Sequence, residues 1–245
     1  MPSSFQSSLV WFRRDLRDYD HAALYHALKT SKQVYCAFIF DTEILDQLTD
    51  KADRRVEFIW ESVRELKSVL QQQGGDLIVR HGAATTEMPK LALELKVDAV
   101  FANRDYEPSA IARDTKVAKQ LQKNDIQFHD FKDQVIFEKD EVLTLAGKPF
   151  GVFTPYKNAA LKKLNDFFLS AYPADRYKAH LAKPELTEMP SLEHLGFTRS
   201  NLASMKLPTG MSGAQQLFAD FVERIHQYKA ARDFPAIKGP SYLSV

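Results

Sequence analysis

The sequence predicts an α/β fold built on a doubly wound, five-stranded parallel sheet. Three observations carry the prediction. Five short runs rich in β-branched and aromatic residues recur in the first 132 positions, amphipathic helical stretches lie between them, and the first two runs are almost continuously apolar. Strands covered on both faces have that character, and strand alternating with helix is the signature of a parallel sheet.

Residues 8–12 (SLVWF) form the first strand, and Asp20 is placed to cap a helix running from residue 21 to 29. Residues 33–40 (QVYCAFIF) form the second strand. A long helix follows over residues 52–73, with Val56, Ile59, Trp60, Val63, Leu66 and Leu70 on one face and Gly74-Gly75 as its stop. Residues 77–80, 99–102 and 126–131 complete the strands. Pro108 or Ser109 opens a further helix, with Ile111, Val117, Ala118 and Leu121 facing inward. After about Asp133 the rhythm changes. Pro173, Pro184, Pro190 and Pro208 punctuate an irregular stretch, interrupted by helical patterns over residues 155–168 and 211–228.

Composition narrows the class. The chain has 245 residues, 44% hydrophobic and 27% charged, with a formal net charge of +1. Those values describe an ordinary globular chain, not a disordered or collagen-like one. The longest strongly apolar run, residues 34–40, is too short to span a bilayer. The single cysteine, Cys36, cannot pair within the chain, which fits a reducing compartment. With no apolar segment of signal-peptide length near residue 1, the expected location is the cytoplasm. Residues 1–130 hold 18 Lys and Arg against 20 Asp and Glu, so charge alone gives no pointer to nucleic acid.

Several chemistries find no motif. The sequence contains no G-x-x-x-x-G-K-[ST] loop, no G-x-G-x-x-G after the first strand and no G-x-S-x-G elbow. The seven histidines are scattered without metal-ligand spacing, so no metal site is expected. No acid–base pair or nucleophile stands out as catalytic. What remains is the loop Arg13-Arg14-Asp15-Leu16-Arg17-Asp18 after the first strand. In an open α/β sheet, ligands bind beyond the carboxyl ends of the strands, where these arginines would line a crevice. On spacing alone the favoured reading is plainer: a solvated loop whose arginines and aspartates neutralise one another.

Four stretches change that balance. Leu9-Val10-Trp11-Phe12-Arg13-Arg14-Asp15-Leu16-Arg17, followed by Asp20-His21 and Ala23-Leu24, closely resembles the opening of the photolyase/cryptochrome family. So do Tyr106-Glu107 with Ala112-Arg113-Asp114, then Phe153-Thr154-Pro155-Tyr156-Lys157-Asn158-Ala159, and finally Tyr228 with Arg232-Asp233-Phe234-Pro235. They follow the family's order and cover essentially the whole chain. The likeness is nearest to the class I cyclobutane-pyrimidine-dimer photolyases. A generic nucleotide-binding α/β protein, such as an electron-transfer flavoprotein subunit, would explain the sheet but not these four stretches.

The resemblance implies a Rossmann-like α/β domain over residues 1–132 that holds a light-harvesting antenna, and a connector over 133–210. It implies that residues 211–245 begin an all-α FAD-binding domain, so the chain is the N-terminal portion of such a protein. The implied activity is light-dependent repair of pyrimidine dimers in DNA by electron transfer from reduced FAD, carried by a deoxyribodipyrimidine photolyase. Cofactors carry such chemistry, which accounts for the missing acid–base pair. The chain alone is expected to be inactive, and the parent protein to be a monomer acting on damaged DNA with no membrane association. The alternative is a cryptochrome, a blue-light signalling flavoprotein without repair activity.

Site residues follow position by position. Tyr228 matches a position that contacts FAD, and Arg232 one near the DNA. Pro240, Ser241, Tyr242, Leu243 and Ser244 match the flavin phosphate loop, usually Thr-Ser-Arg-Leu-Ser. Pro240 removes a hydroxyl and an N–H there, Tyr242 replaces a common arginine, and Ser241 and Ser244 keep their hydroxyls. Ser109 and Ala110 match the antenna contacts, and Arg13, Phe40 and Asp41 are expected to line the antenna crevice at the ends of the first two strands. Ser109 and Ala110 stand where folate-binding members carry Asn-Glu, and Ala110 cannot accept a bond from a pterin. A deazaflavin or second flavin is therefore expected ahead of methenyltetrahydrofolate. Trp11 and Trp60 read as core residues.

Overall fold

The computed structural model describes residues 5–185, 188–234 and 236–237. Its sheet is assembled from β1 (Phe5–Phe12), β2 (Ser31–Asp41), β3 (Leu77–Gly82), β4 (Ala99–Asn103) and β5 (Gln127–Phe131). All pairings are parallel and the order is β3-β2-β1-β4-β5. Parallel neighbours need a crossover connection, and helices supply it. These are α1 (Ala22–Thr30), the short α2 (Thr42–Leu45) with α3 (Arg54–Gln72), α4 (Ala84–Glu94) and α5 (Pro108–Gln122). The expected doubly wound sheet is therefore present.

The strand period of two sorts the core. Val10, Phe12, Val34, Cys36, Phe38 and Phe40 point into one apolar layer with α1 and α3. Leu9, Trp11, Ala37, Ile39, Val100 and Ala102 point into the other, with α4 and α5. Trp11 is fully buried, as the sequence suggests, and Trp60 is half-buried with its Nε1 donating to the Pro190 carbonyl at 2.8 Å.

Three expectations are corrected. His21, not Asp20, caps α1: its ring nitrogen Nδ1 accepts from the Leu24 N–H at 3.0 Å. Asp20 sits at φ 44° and its carboxylate instead accepts from the Tyr172 N–H at 2.8 Å. Ile111 points to solvent, because the buried stripe of α5 is Ala110, Val117 and Leu121. One residue further along turns a side chain by about 100°. Ile59 lies outside the buried stripe of α3 for the same reason.

The stretch after β5 winds back over the sheet. It includes α6 (Phe153–Lys163), α7 (Asp166–Leu169) and 3₁₀ turns at Ala174–His180 and Leu202–Met205. The helix expected over residues 155–168 thus divides: Leu164 turns extended, and the Asn165 side chain caps α7 by accepting from the Phe167 N–H. Leu181 bridges to Val34, and the Ala182 N–H donates to the Val34 carbonyl at 2.8 Å. Ser200 hydrogen-bonds through its N–H to the buried Glu57 of α3 at 2.8 Å, while Leu192, Leu195 and Phe197 enter the core. This segment is fastened to the sheet layer by core packing.

The last described helices are α8 (Gly210–Arg224) and α9 (Tyr228–Ala231), separated by a 3₁₀ turn at Ile225–Gln227. The pattern over residues 211–228 therefore breaks at Ile225. α8 packs on α3, and Glu65 of α3 accepts the Ser212 N–H at 2.8 Å, satisfying an orphan donor of the first turn. Gly210 permits this at φ +73°, where a Cβ would overlap the Glu65 carboxylate. We expect Gly210→Ala to destabilise the docking of α8 by about 1–3 kcal/mol. Hydrogen exchange should accelerate in α8 while the strands stay protected; unchanged α8 protection would contradict this.

Candidate functional site

The sheet reverses its winding between β1 and β4. From β1 the chain proceeds to β2 on one side; from β4 it proceeds to β5 on the other. Loops leaving the carboxyl ends of two such strands diverge and leave a crevice. Here that crevice is about 120 Å³, lined by Arg13, Arg14, Asp15, Arg17, Asn103, Arg104, Asp105, Asp133 and Gln134.

Asp15 sits at its centre. Its carboxylate accepts from the Arg13 N–H at 2.7 Å, from the Asn103 side-chain amide at 2.6 Å and from His21 Nε2 at 2.9 Å. Because His21 Nδ1 already accepts from Leu24, its Nε2 carries the proton that Asp15 receives. The Asn103 side-chain oxygen Oδ1 in turn accepts from the Ala23 N–H at 2.9 Å. Burial opposes the Asp15 charge, but the His21 ring, the Arg13 N–H and the Arg13 guanidinium outweigh it. Together they hold the carboxyl well below the usual range.

Around this knot every arginine of the crevice already has a carboxylate. Arg13 pairs with Asp114 of α5 at 2.5 Å and also donates to the Asn103 carbonyl. Arg14 reaches Asp105 at 3.2 Å and Glu107 at 2.8 Å, and Arg17 pairs with Asp133 at 2.7 Å. Arg104 holds Asp130 at 2.8 Å and Glu138, which also receives the Tyr106 hydroxyl at 2.6 Å. Burial and the Glu138 charge push the Tyr106 phenol up. The plainer reading of the arginine loop is thus half right. The charges are neutralised, but by carboxylates from the loop after β4, from α5 and from the segment after β5 more than by the loop's own.

Of the five expected antenna residues, Arg13 lines the crevice. Phe40 is buried in the layer of α1 and α3, with its ring edge-on to Phe38 at 4.9 Å. Asp41 caps α2 and accepts from the Glu43 N–H at 3.1 Å and the Ala84 N–H at 3.2 Å. Ser109 is exposed on the first turn of α5, while Ala110 is buried beneath it. Tyr228 is partly exposed, edge-on to Phe221 at 5.6 Å, and Arg232 is exposed with Asp233 at 3.6 Å. Pro240, Ser241, Tyr242, Leu243 and Ser244 lie outside the described residues. Sequence reasoning missed Asn103, Arg104, Asp133 and Gln134. The end of the fourth strand was the available signal for the first two.

A larger open depression of about 600 Å³ is lined by Asp50, Ala52, Asp53, Arg54, Arg199, Ser200 and Asn201. Its groups are engaged in fastening: Asp53 caps α3 through the Arg55 N–H at 2.8 Å, and Arg54 donates to the Asn201 side chain at 2.6 Å.

The Asp15 knot makes a pH statement. Its folded pKa lies below the unfolded value, so its stabilisation is complete above about pH 4 and falls away as the pH drops toward the folded pKa. We expect Asp15→Asn to lower stability at pH 7 and to flatten the acid limb below about pH 4. Chemical denaturation at several pH values checks this; parallel acid limbs would contradict it.

Comparison with known proteins identifies the family. The DNA photolyase family model matches residues 8–178. The chain is 34% identical over 246 residues to an uncharacterized 31.6 kDa protein of Synechococcus sp. PCC 6716, covering 98% of this chain and 84% of that protein. It is 33% identical over 242 residues to a deoxyribodipyrimidine photo-lyase of another Synechococcus strain, covering 96% of this chain and 49% of that enzyme. A crystal structure of a class III photolyase from Agrobacterium tumefaciens superposes with a TM-score of 0.82 at 26% identity, covering all of this chain and 50% of its own. The chain spans about half the length of the photolyases it matches. With the family model covering most of its length, this chain belongs to the DNA photolyase family.

Proposed function

We propose that this chain forms the α/β half of a light-driven lyase that reopens cyclobutane pyrimidine dimers in DNA, the activity named for the deoxyribodipyrimidine photo-lyases it resembles. The observation that carries the reading is the match along essentially the whole chain to about half of a deoxyribodipyrimidine photo-lyase. Reduced FAD, when bound to such an enzyme, supplies the electron that opens the dimer.

The described residues do not by themselves fit a flavin. Tyr228 offers one half-exposed ring beside Phe221, and neither cleft includes it. In the proposed enzyme this half contributes architecture: a buried parallel sheet, and α8 held on α3. Arg232 is exposed and loosely paired, so its guanidinium is available to a DNA phosphate.

The test joins this chain to the remaining half of the Synechococcus photo-lyase. We expect a folded, flavin-loaded chimera to repair dimer-containing DNA under blue light. The 245-residue chain with added FAD and reductant should stay at the protein-free background. A flavin-loaded chimera without repair would overturn the reading. In the chimera, Arg232→Ala should weaken binding to damaged DNA and make the salt slope shallower by about one unit, with flavin content unchanged. An unchanged slope would restrict Arg232 to its contact with Asp233.

A further inference from the structure

We infer that the switch-point crevice of this chain is closed to the anionic, ring-bearing chromophores for which its position makes it the natural seat. The inference rests on the photolyase reading above, because that reading is what leads one to expect a second chromophore. It replaces the sequence expectation of a deazaflavin or second flavin at Arg13, Phe40 and Asp41.

Size is the first reason. The crevice measures about 120 Å³, whereas sites for molecules of cofactor size run from about 300 to 1,000 Å³.

Lining is the second. A fused ring system is held mainly by apolar and aromatic walls. The lining residues here are arginine, aspartate, asparagine and glutamine, whose stems supply apolar surface but no aromatic ring. The nearby rings are not available. Phe12 and Phe40 are buried in the core, and Trp11 is covered by the Arg13 and Arg113 guanidiniums at 4.9 and 5.0 Å. Asp41 is spent on two helix starts.

Charge is the third. Flavin nucleotides carry phosphate and folates carry carboxylates, so either needs spare positive charge. Arg13, Arg14, Arg17, Arg104 and Arg113 meet Asp15, Asp105, Glu107, Asp114, Asp130, Asp133 and Glu138. Lys139 adds one positive charge near Asp130 and Glu138, and Lys132 is taken by Glu141. Carboxylates still outnumber the cations. An incoming anion would have to displace a carboxylate that the fold holds in place, such as Asp114 from Arg13 or Asp133 from Arg17.

The test titrates the purified chain separately with FMN, a 5-deazaflavin and methenyltetrahydrofolate, following absorbance and fluorescence polarisation. Arg14→Glu and Arg17→Glu, both on the partly exposed rim, are titrated alongside after their circular dichroism is matched to the parent. We expect no saturable complex at stoichiometric concentrations. A saturable complex that neither variant weakens lies elsewhere and also supports a closed crevice. A one-to-one complex that either variant weakens by about tenfold or more overturns the inference. That result would leave the repair reading untouched, since repair by the chimera is scored with the catalytic flavin absorbing the light itself.

Discussion

A buried carboxylate needs its charge answered at close range, and Asp15 is where this fold meets that demand. Its acceptors are filled by the Arg13 N–H, the Asn103 amide and the His21 ring. Those three partners come from the end of β1, the end of β4 and the residue that caps α1. One side chain therefore fixes the spacing of the two strands at the switch point and the entry of the first helix. An unpaired carboxylate there would be costly to bury, so the loop has little freedom to adopt another course. Arg13 extends the same knot to α5 through Asp114, and Arg17 extends it to the segment after β5 through Asp133.

The return segment is held by a second, largely independent set of contacts on α3. Glu57 receives the Ser200 N–H, Glu65 receives the Ser212 N–H, and Trp60 donates to Pro190. The Ser200 and Trp60 bonds satisfy polar groups that packing partly buries. Leu192, Leu195 and Phe197 supply the apolar part of that attachment. The helix meant to face the sheet thus also serves as the bed for the chain that follows.

Family membership and the state of the crevice bear on different questions. The fold is what this chain has in common with the Agrobacterium photolyase on which it superposes. The content of the crevice depends on how local charges are paired. Five arginines at the mouth of a parallel sheet would ordinarily suggest an anion site. Here the carboxylates of Glu107, Asp114, Asp130, Asp133 and Glu138 are paired with them. The same fold can keep the architecture of a ligand site while filling it with its own side chains.

The sequence by itself determined the sheet and most of its helices, because period and apolar run length are local properties. SLVWF and QVYCAFIF read as largely buried strands and the stripe of Val56, Val63, Leu66 and Leu70 as one packed helix face, and the structure has both. The four family-like stretches likewise made the kinship legible without coordinates. Tertiary structure alone decided three things. It chose His21 over Asp20 as the cap, since Asp20 was drawn to Tyr172, 152 positions away. It turned Ile59 and Ile111 outward, since a small error in helix phase moves a side chain across the boundary of the buried stripe. And it paired the arginines of the first loop with carboxylates as far along the chain as Asp114 and Asp133. Ion pairing depends on distance in space, and nothing in a loop's own spacing records which distant carboxylates the fold will bring to it.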